Sequence, residues 1–313
     1  MNQWLELTRP FTLLPPAIGM VSGGLAALGT GRAAQSSPLG VLAALSAGAV
    51  LAALLNAASN CVNQVFDVHL DVVNKPDRPL PRGAITRARA LWLAAMLYAA
   101  AFVLAATLRP DGSWAVFWIV LFTAALTWGY SGPPLRWRNS WWLAPLVIAL
   151  PRGMLLKVAG WGALAAVDSD HEPWALGGIF FLYIFGAAAI KDFEDMQGDA
   201  AGGASSLPLR FGARRAARIM APFLVVPWVL LALAPWAHWN GAPLLRIDPM
   251  AAALVGGILA LIGVGSARAL LRMADGPSDK RAARAAWRAM YLQMMAAQVL
   301  TAAAYWWPWS SSS

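Results

Sequence analysis

The sequence predicts an all-α integral membrane bundle of nine transmembrane helices, and three observations predict it. Of 313 residues, 59% are hydrophobic and only 12% are charged, whereas soluble domains carry about a quarter charged residues. The apolar residues fall into nine runs, roughly 11–30, 40–64, 90–108, 115–131, 143–164, 174–190, 217–237, 249–271 and 288–307, each near the ~17–25 residues a helix needs to cross the hydrocarbon core. Finally, 18 of the 24 Lys and Arg lie in the loops after even-numbered runs, while the loops after odd-numbered runs hold only Arg32, Arg109 and Arg246. Positive charge stays on the cytoplasmic side. The N-terminus is therefore expected inside and the C-terminus outside, as in a bacterial inner membrane. The net charge of +9 is mostly this orientation signal, so nucleic acid is not an expected partner and the lipid bilayer is.

Taken in order, the runs justify themselves locally. The first opens on Pro10, Pro15 and Pro16 with no basic segment before it, which reads as a span and not a cleavable signal peptide. The second ends in Asn63, Asp67 and Asp71, and the loop beyond it is braced by Pro76, Pro79 and Pro81, which exclude a helix there. Arg87 and Arg89 begin the third, and Tyr130-Ser131 close the fourth ahead of Gly132-Pro133-Pro134. The fifth carries Arg152 and Lys157 within apolar sequence. The sixth ends in Lys191-Asp192, and Asp168, Asp170, His171 and Glu172 before it read as a solvated run. Many of the 17 Trp stand near run ends, among them Trp4, Trp114, Trp174 and Trp306, as an interfacial belt requires. The single cysteine, Cys61, rules out an intramolecular disulfide and reads as a buried thiol. Ser310 to Ser313 read as disordered.

The chain also reads as one domain, 1–313, built from two similar units. After Asp71 a basic, proline-rich loop leads to Gly83, 12 residues on; after Asp199 a similar loop leads to Gly212, 13 residues on. Each is followed by a basic helix start. Pseudo-repeats of about 10–140 and 141–272, with an extra helix at about 288–307, follow, and parallel repeats place functional sites between the halves.

The chemistry concentrates in the two acidic ladders that end runs two and six. Asn63-xxx-Asp67-xxx-Asp71 and Asp192-xx-Asp195-xxx-Asp199 each stack acids on one helix face, because four residues advance only about 40° beyond a full turn. Like charges so placed repel by about 0.2–0.5 kcal/mol even when solvated. Something cationic is expected between them. Asp67, Asp71, Asp195 and Asp199 are the candidate metal ligands, with Asn63 adding an amide oxygen and Asp192 a further carboxylate. An oxygen-only donor set with no paired His or Cys favours Mg²⁺, which commonly arrives with a phosphate group. Lys75 and Arg78 follow the first ladder, where Arg in particular binds phosphate with two parallel hydrogen bonds. Arg82 reads as a topology determinant, and Lys191 fits either role. Tyr130 and Ser131 offer hydroxyls to a phosphate oxygen, or a turn and a belt tyrosine. Arg152 and Lys157 cost at least about 2.5–3.5 kcal/mol each at mid-membrane; they face a diphosphate or a polar acceptor head, or else snorkel.

At these residues the chain resembles the UbiA superfamily of intramembrane prenyltransferases. The resemblance runs through Thr8-Arg9-Pro10, the stretch from Asn63 to Asp71, Asn74-Lys75-Pro76, Tyr130-Ser131-Gly132-Pro133-Pro134-Leu135, and the stretch from Lys191 to Asp199. It implies that Asn63, Asp67, Asp71, Asp195 and Asp199 hold Mg²⁺ ions that bind an isoprenyl diphosphate, with Lys75, Arg78, Tyr130 and Ser131 contacting or enclosing the diphosphate. The implied activity is Mg²⁺-dependent transfer of a geranylgeranyl, phytyl or similar group to a lipophilic acceptor, releasing diphosphate. Lys75-Pro76 stands where ubiquinone-type and haem O-type members carry an Arg-Thr pair, and argues against both. Arg152-Gly153-Met154 with Lys191-Asp192 is similar to homogentisate prenyltransferases and favours an aromatic ring, homogentisate- or hydroxybenzoate-like. Pro76-Asp77-Arg78-Pro79 is closer to the chlorophyll synthases and ether-lipid enzymes, the alternative acceptors. Of other classes, a secondary transporter would place ion ligands near the midplane, whereas these acids end their helices. A non-catalytic scaffold gives no reason to repeat costly acid ladders.

Overall fold

A helix covers most of each of the nine apolar runs. The computed structural model describes residues 2–34, 37–110, 112–193, 196, 205–275 and 280–307. The helices are α1 Gln3–Thr8, α2 Leu14–Gly29, α3 Pro38–Phe66, α4 Val68–Asn74, α5 Arg87–Thr107, α6 Ala115–Ser131, α7 Leu143–Ala149, α8 Leu156–Gly162, α9 Glu172–Ala188, α10 Leu207–Phe211, α11 Ala213–Met220, α12 Val226–Leu233, α13 Pro249–Asp275 and α14 Lys280–Ala304. One two-stranded hairpin, His238–Trp239 with Ala242–Pro243, is the only sheet among the described residues.

Six stretches are long and apolar enough to span a bilayer, and a seventh if α1 and α2, bent by 48° against each other, count as one. The protein is therefore an integral, multi-pass membrane protein. Two of the nine expected spans fall short of that measure for visible reasons. Helix α6 is apolar but only 17 residues long. Helix α14 opens on Arg281, Arg284 and Arg288 and carries Gln293 and Gln298, which lowers its hydropathy.

Run five is one continuous helical stretch with a fault. Between α7 and α8, Leu150–Leu155 is a π-helical turn. Pro151 has no N–H for the ordinary ladder bond, and widening the helix by one residue absorbs the defect. Gly153 lets this turn lie directly on α9: a Cβ there would stand 2.5 Å from Phe181 Cα. Helix α2 approaches α8 as closely, since a Cβ on Gly23 would stand 2.5 Å from the Lys157 carbonyl oxygen. In a bilayer, where apolar side chains gain little by leaving lipid, small residues of this kind set which helices pack.

In the loop before α9, Asp168 is exposed as expected, but Asp170 and Glu172 are not solvated, which corrects the expectation for those two. Asp170 and Glu172 are buried, and they form a network with Arg32 and Arg246 from other loops. Tyr305 at the end of α14 donates to Glu172 at 2.9 Å. The cations lie 138 and 76 residues away from Asp170, so no local pattern announces the pairing. Burial alone would raise the Asp170 carboxyl, but the Glu172 backbone N–H and the two arginines hold it below the ordinary carboxylate range.

Candidate active site

A polar stripe on α3 builds the floor of the site. Asn56, Asn60 and Gln64 stand four residues apart, so they share one face. Asn56 Nδ2 donates to the Thr12 carbonyl at 2.9 Å, Asn60 Nδ2 to the Thr8 carbonyl at 2.9 Å, and Gln64 Nε2 to the Leu7 carbonyl at 2.7 Å. These bonds tie the broken entry between α1 and α2 onto α3. At that break Arg9 takes the left-handed conformation, φ 54°, which is costly for a non-glycine residue. The turn aims the strand of backbone so that Arg9 lines both cavities described below.

Helix α3 ends at Asp67, whose backbone N–H still caps the Asn63 carbonyl at 2.9 Å, and α4 restarts at once. The ladder therefore continues across the break. Asp67 and Asp71 are each 5% exposed. Arg138 pairs with Asp67, and Arg78 Nη1 lies 2.5 Å from Asp71 Oδ2. Asn63 Nδ2 donates to Asp67 at 2.6 Å and to Ser131 Oγ at 2.9 Å, which joins the end of α3 to the end of α6. Burial pushes the Asp67 carboxyl above the ordinary carboxylate range; the Arg138 charge opposes this and the Asp71 charge adds to it.

Two cavities meet here. The smaller, about 70 Å³, is lined by Arg9, Asn63, Asp67, Leu70, Asp71, Lys75, Arg78, Tyr130, Arg138 and Lys191. Its described lining carries five cations against two carboxylates, a net of +3. The larger, about 240 Å³, runs along the bundle between apolar side chains such as Met20, Leu51, Leu55, Ile119 and Leu155. Arg152, Lys191 and Arg9 are its charged lining, and no Asp or Glu stands among its described walls. Arg9, Asn63, Tyr130 and Lys191 line both cavities. A molecule with a polyanionic head and a long apolar tail fits this pair, head in the small cavity and tail in the large one.

Of the residues singled out by sequence, the structure brings Asn63, Asp67, Asp71, Lys75, Arg78, Tyr130 and Lys191 to the small cavity, with Ser131 bonded behind it. Arg152 stands on the large cavity with Nη2 3.5 Å from Asn56 Oδ1. Asp192 is half-buried beside Lys191. Asp195 and Asp199 lie outside the described residues. Lys157 stands apart, a correction to the substrate-contact expectation: it lines neither cavity, is 1% exposed, donates to Ser22 Oγ at 2.7 Å and covers the Phe180 ring at 4.2 Å. Sequence reasoning missed Arg138 and the position of Arg9. Arg138 looked like a topology charge, and only the 3₁₀ turn Trp137–Asn139 after left-handed Arg136 swings it back over Asp67. The Asn56, Asn60, Gln64 stripe was a usable signal, being polar at helical spacing within an apolar span.

Among the described residues no three His, Cys, Asp or Glu side chains form a metal-holding group. The donors present nevertheless fit Mg²⁺: two carboxylates one turn apart, both buried and both facing a polar cavity, with no His or Cys among its described lining.

Comparison with known proteins meets this geometry. Residues 20–290 match the UbiA prenyltransferase family. The chain is 31% identical over 235 residues to the bacteriochlorophyll synthase 33 kDa chain of Cereibacter sphaeroides, covering 72% of each. It is 30% identical over 241 residues to the digeranylgeranylglyceryl phosphate synthase of Methanoculleus marisnigri, covering 77% of this chain and 79% of that protein. In fold it is similar to a UbiA homolog from Archaeoglobus fulgidus solved with GPP and Mg²⁺, at 20% identity and a TM-score of 0.62, covering 87% of this chain and all of the other. Homology over most of the length thus joins a helical bundle whose two cavities suit a diphosphate and its hydrocarbon tail: the chain belongs to the UbiA prenyltransferase family, enzymes that transfer isoprenyl groups.

Proposed function

We propose that the protein transfers an isoprenyl group from a prenyl diphosphate to a lipophilic acceptor that carries an anionic head, with Mg²⁺ at the first and second acid ladders. The observation that carries this is the junction of the two cavities at Arg9, Asn63, Tyr130 and Lys191. Asp67 and Asp71, with Asp192, Asp195 and Asp199 from the second ladder, would hold the metal, with the Asn63 amide oxygen as a further ligand. Bound Mg²⁺ supplies Lewis-acid neutralisation of the departing diphosphate. Lys75, Arg78, Arg138 and Lys191 offset the negative charge that grows on that leaving group as the allylic C–O bond breaks. The cation left on the chain is sheltered from water by the apolar walls of the large cavity. Tyr130, Trp287 and Tyr291 line those walls, and a π face stabilises a nearby cation by about 0.5–2 kcal/mol. An acceptor carbon or oxygen then attacks, and the acceptor loses a proton.

Arg9 and Arg152 favour an acceptor with a carboxylate or a phosphate, because they face a cavity without acidic walls. The relatives named above support a chlorophyllide-type or glycerol-phosphate ether-lipid acceptor. A homogentisate- or hydroxybenzoate-like ring, whose carboxylate the same arginines fit, is the second reading and rests on the Arg152-Gly153-Met154 and Lys191-Asp192 sequences. Nine spans, two four-helix repeats (10–140 and 141–272), a cytoplasmic site and an outer C-terminus complete the proposal; charge placement supports the orientation.

The test is purified protein with Mg²⁺, prenyl diphosphates of several lengths including geranylgeranyl and phytyl, and a panel of chlorophyllide, geranylgeranylglyceryl phosphate, homogentisate and hydroxybenzoate. Product mass identifies the acceptor. Diphosphate release that persists in excess chelator, or prenylation of none of these anionic acceptors, contradicts the proposal.

A further inference from the structure

Both first-ladder carboxylates have counter-ions within the fold. Asp67 is held by Arg138 and by the Asn63 amide, and Asp71 by Arg78. These pairs are built in, since the carboxylate side chains are 7% exposed and the two arginine side chains 18% and 17%. Arg138 comes from the turn after α6 and Arg78 from the loop after α4, so separate segments converge on one ladder. The polar and charged groups beside Asp67 include Asn63, Asp71, His69, Tyr130 and Arg138. A divalent cation arriving alone would have to break a buried ion pair, and stripping one partner from such a pair is strongly unfavourable. It would also enter a lining whose described charge is already +3.

A diphosphate changes that balance. It offers the arginines oxygens of the same kind as the carboxylates they leave, with bidentate geometry available to each guanidinium. The vacated carboxylates then become ligands. We infer that Arg138 exchanges Asp67 for the diphosphate, so that metal and diphosphate bind as a strongly coupled pair and the metal alone binds weakly. The inference rests on the proposed diphosphate site and adds an order to its filling. Coupling of this kind is reciprocal: whatever factor the diphosphate adds to metal affinity, the metal adds to diphosphate affinity.

Equilibrium dialysis of Mn²⁺ against the purified protein in detergent tests it without turnover. Wild type should bind Mn²⁺ at least about ten-fold more tightly in the presence of a non-hydrolysable geranylgeranyl thiolodiphosphate than without it, a ratio typical of coupled sites. Arg138→Gln should bind Mn²⁺ alone about ten-fold more tightly than wild type does, because Asp67 is released, while the gain from the thiolodiphosphate shrinks. Equal Mn²⁺ affinity of wild type with and without the thiolodiphosphate overturns the inference, and that comparison needs no variant. Unchanged Mn²⁺ affinity in a folded Arg138→Gln overturns the assignment to Arg138. Mn²⁺ binding that Asp67→Asn leaves intact removes the site itself, and with it both this inference and the reading beneath it.

Discussion

At the scale of single residues, the acid ladder was legible because its spacing is a property of the helix and its repulsion a property of charge. Asp67 and Asp71 stand together in the fold, as four-residue spacing requires, although the helix breaks between them. What spacing could not show was the set of counter-ions. Arg138 is 71 positions from Asp67, reaching it only through a left-handed residue and a 3₁₀ turn. Such partners carry predictable weight. Removing one preorganised donor to a developing oxyanion costs about 10²–10³-fold in rate, so Arg78→Gln should lower kcat by about that factor. Asp67→Asn should fall further, to background. Steady-state kinetics on protein that elutes as wild type from a sizing column checks both, and wild-type kcat in either variant would remove that residue from the site.

At the scale of elements, the nine apolar runs were readable by composition, yet two packing devices were not. The first is Lys157. Its run is apolar, and sequence alone set it beside Arg152 as a charge that must face something polar. The fold instead seats it between α2 and α9, against Ser22 and Phe180, behind the wall that Arg152 lines. Since a cation at mid-membrane costs about 2.5–3.5 kcal/mol, and apolar replacement of buried charges is often neutral or stabilising, Lys157→Met should keep Tm unchanged or raise it and leave KM within two-fold. A ten-fold rise in KM would return Lys157 to the substrate cavities. The second device is the network of Arg32, Asp170, Glu172 and Arg246, in which both cations are far in sequence from the acids they meet. Asp170 is held below its ordinary value in the fold. Its contribution to stability is therefore fully present above the unfolded carboxylate pKa of about 3.9 and fades as pH falls through the lower folded value. The Tm gap between wild type and Asp170→Asn should be constant from pH 7 to 5 and narrow below about pH 4. A gap that instead widens on acidification would reverse the sign of this assignment.

For the whole molecule, the proposed orientation rests on charge asymmetry along the chain, and it would put the acid ladders at the cytoplasmic face. A reporter active only outside the cytoplasm, fused after residue 307, should be active, and the same reporter fused in the loop at 84 should be silent. The reverse pattern would invert the molecule and place the site on the wrong side. A polar pocket of about 70 Å³ shares lining residues with an apolar one of about 240 Å³, so the proposed substrate would find an environment for its head and one for its tail side by side. Acceptor identity was the least legible feature, because the two arginines proposed to recognise its head, Arg9 and Arg152, are far apart in sequence and line one cavity only through folding. The most direct measurement of the central claim is an experimental structure of the protein with Mg²⁺ and geranylgeranyl thiolodiphosphate. The diphosphate is expected between Asp67, Asp71, Arg78 and Arg138, with the tail running past Tyr130 into the large cavity. A diphosphate bound anywhere else, with Asp67 and Asp71 still paired to their arginines, would contradict it.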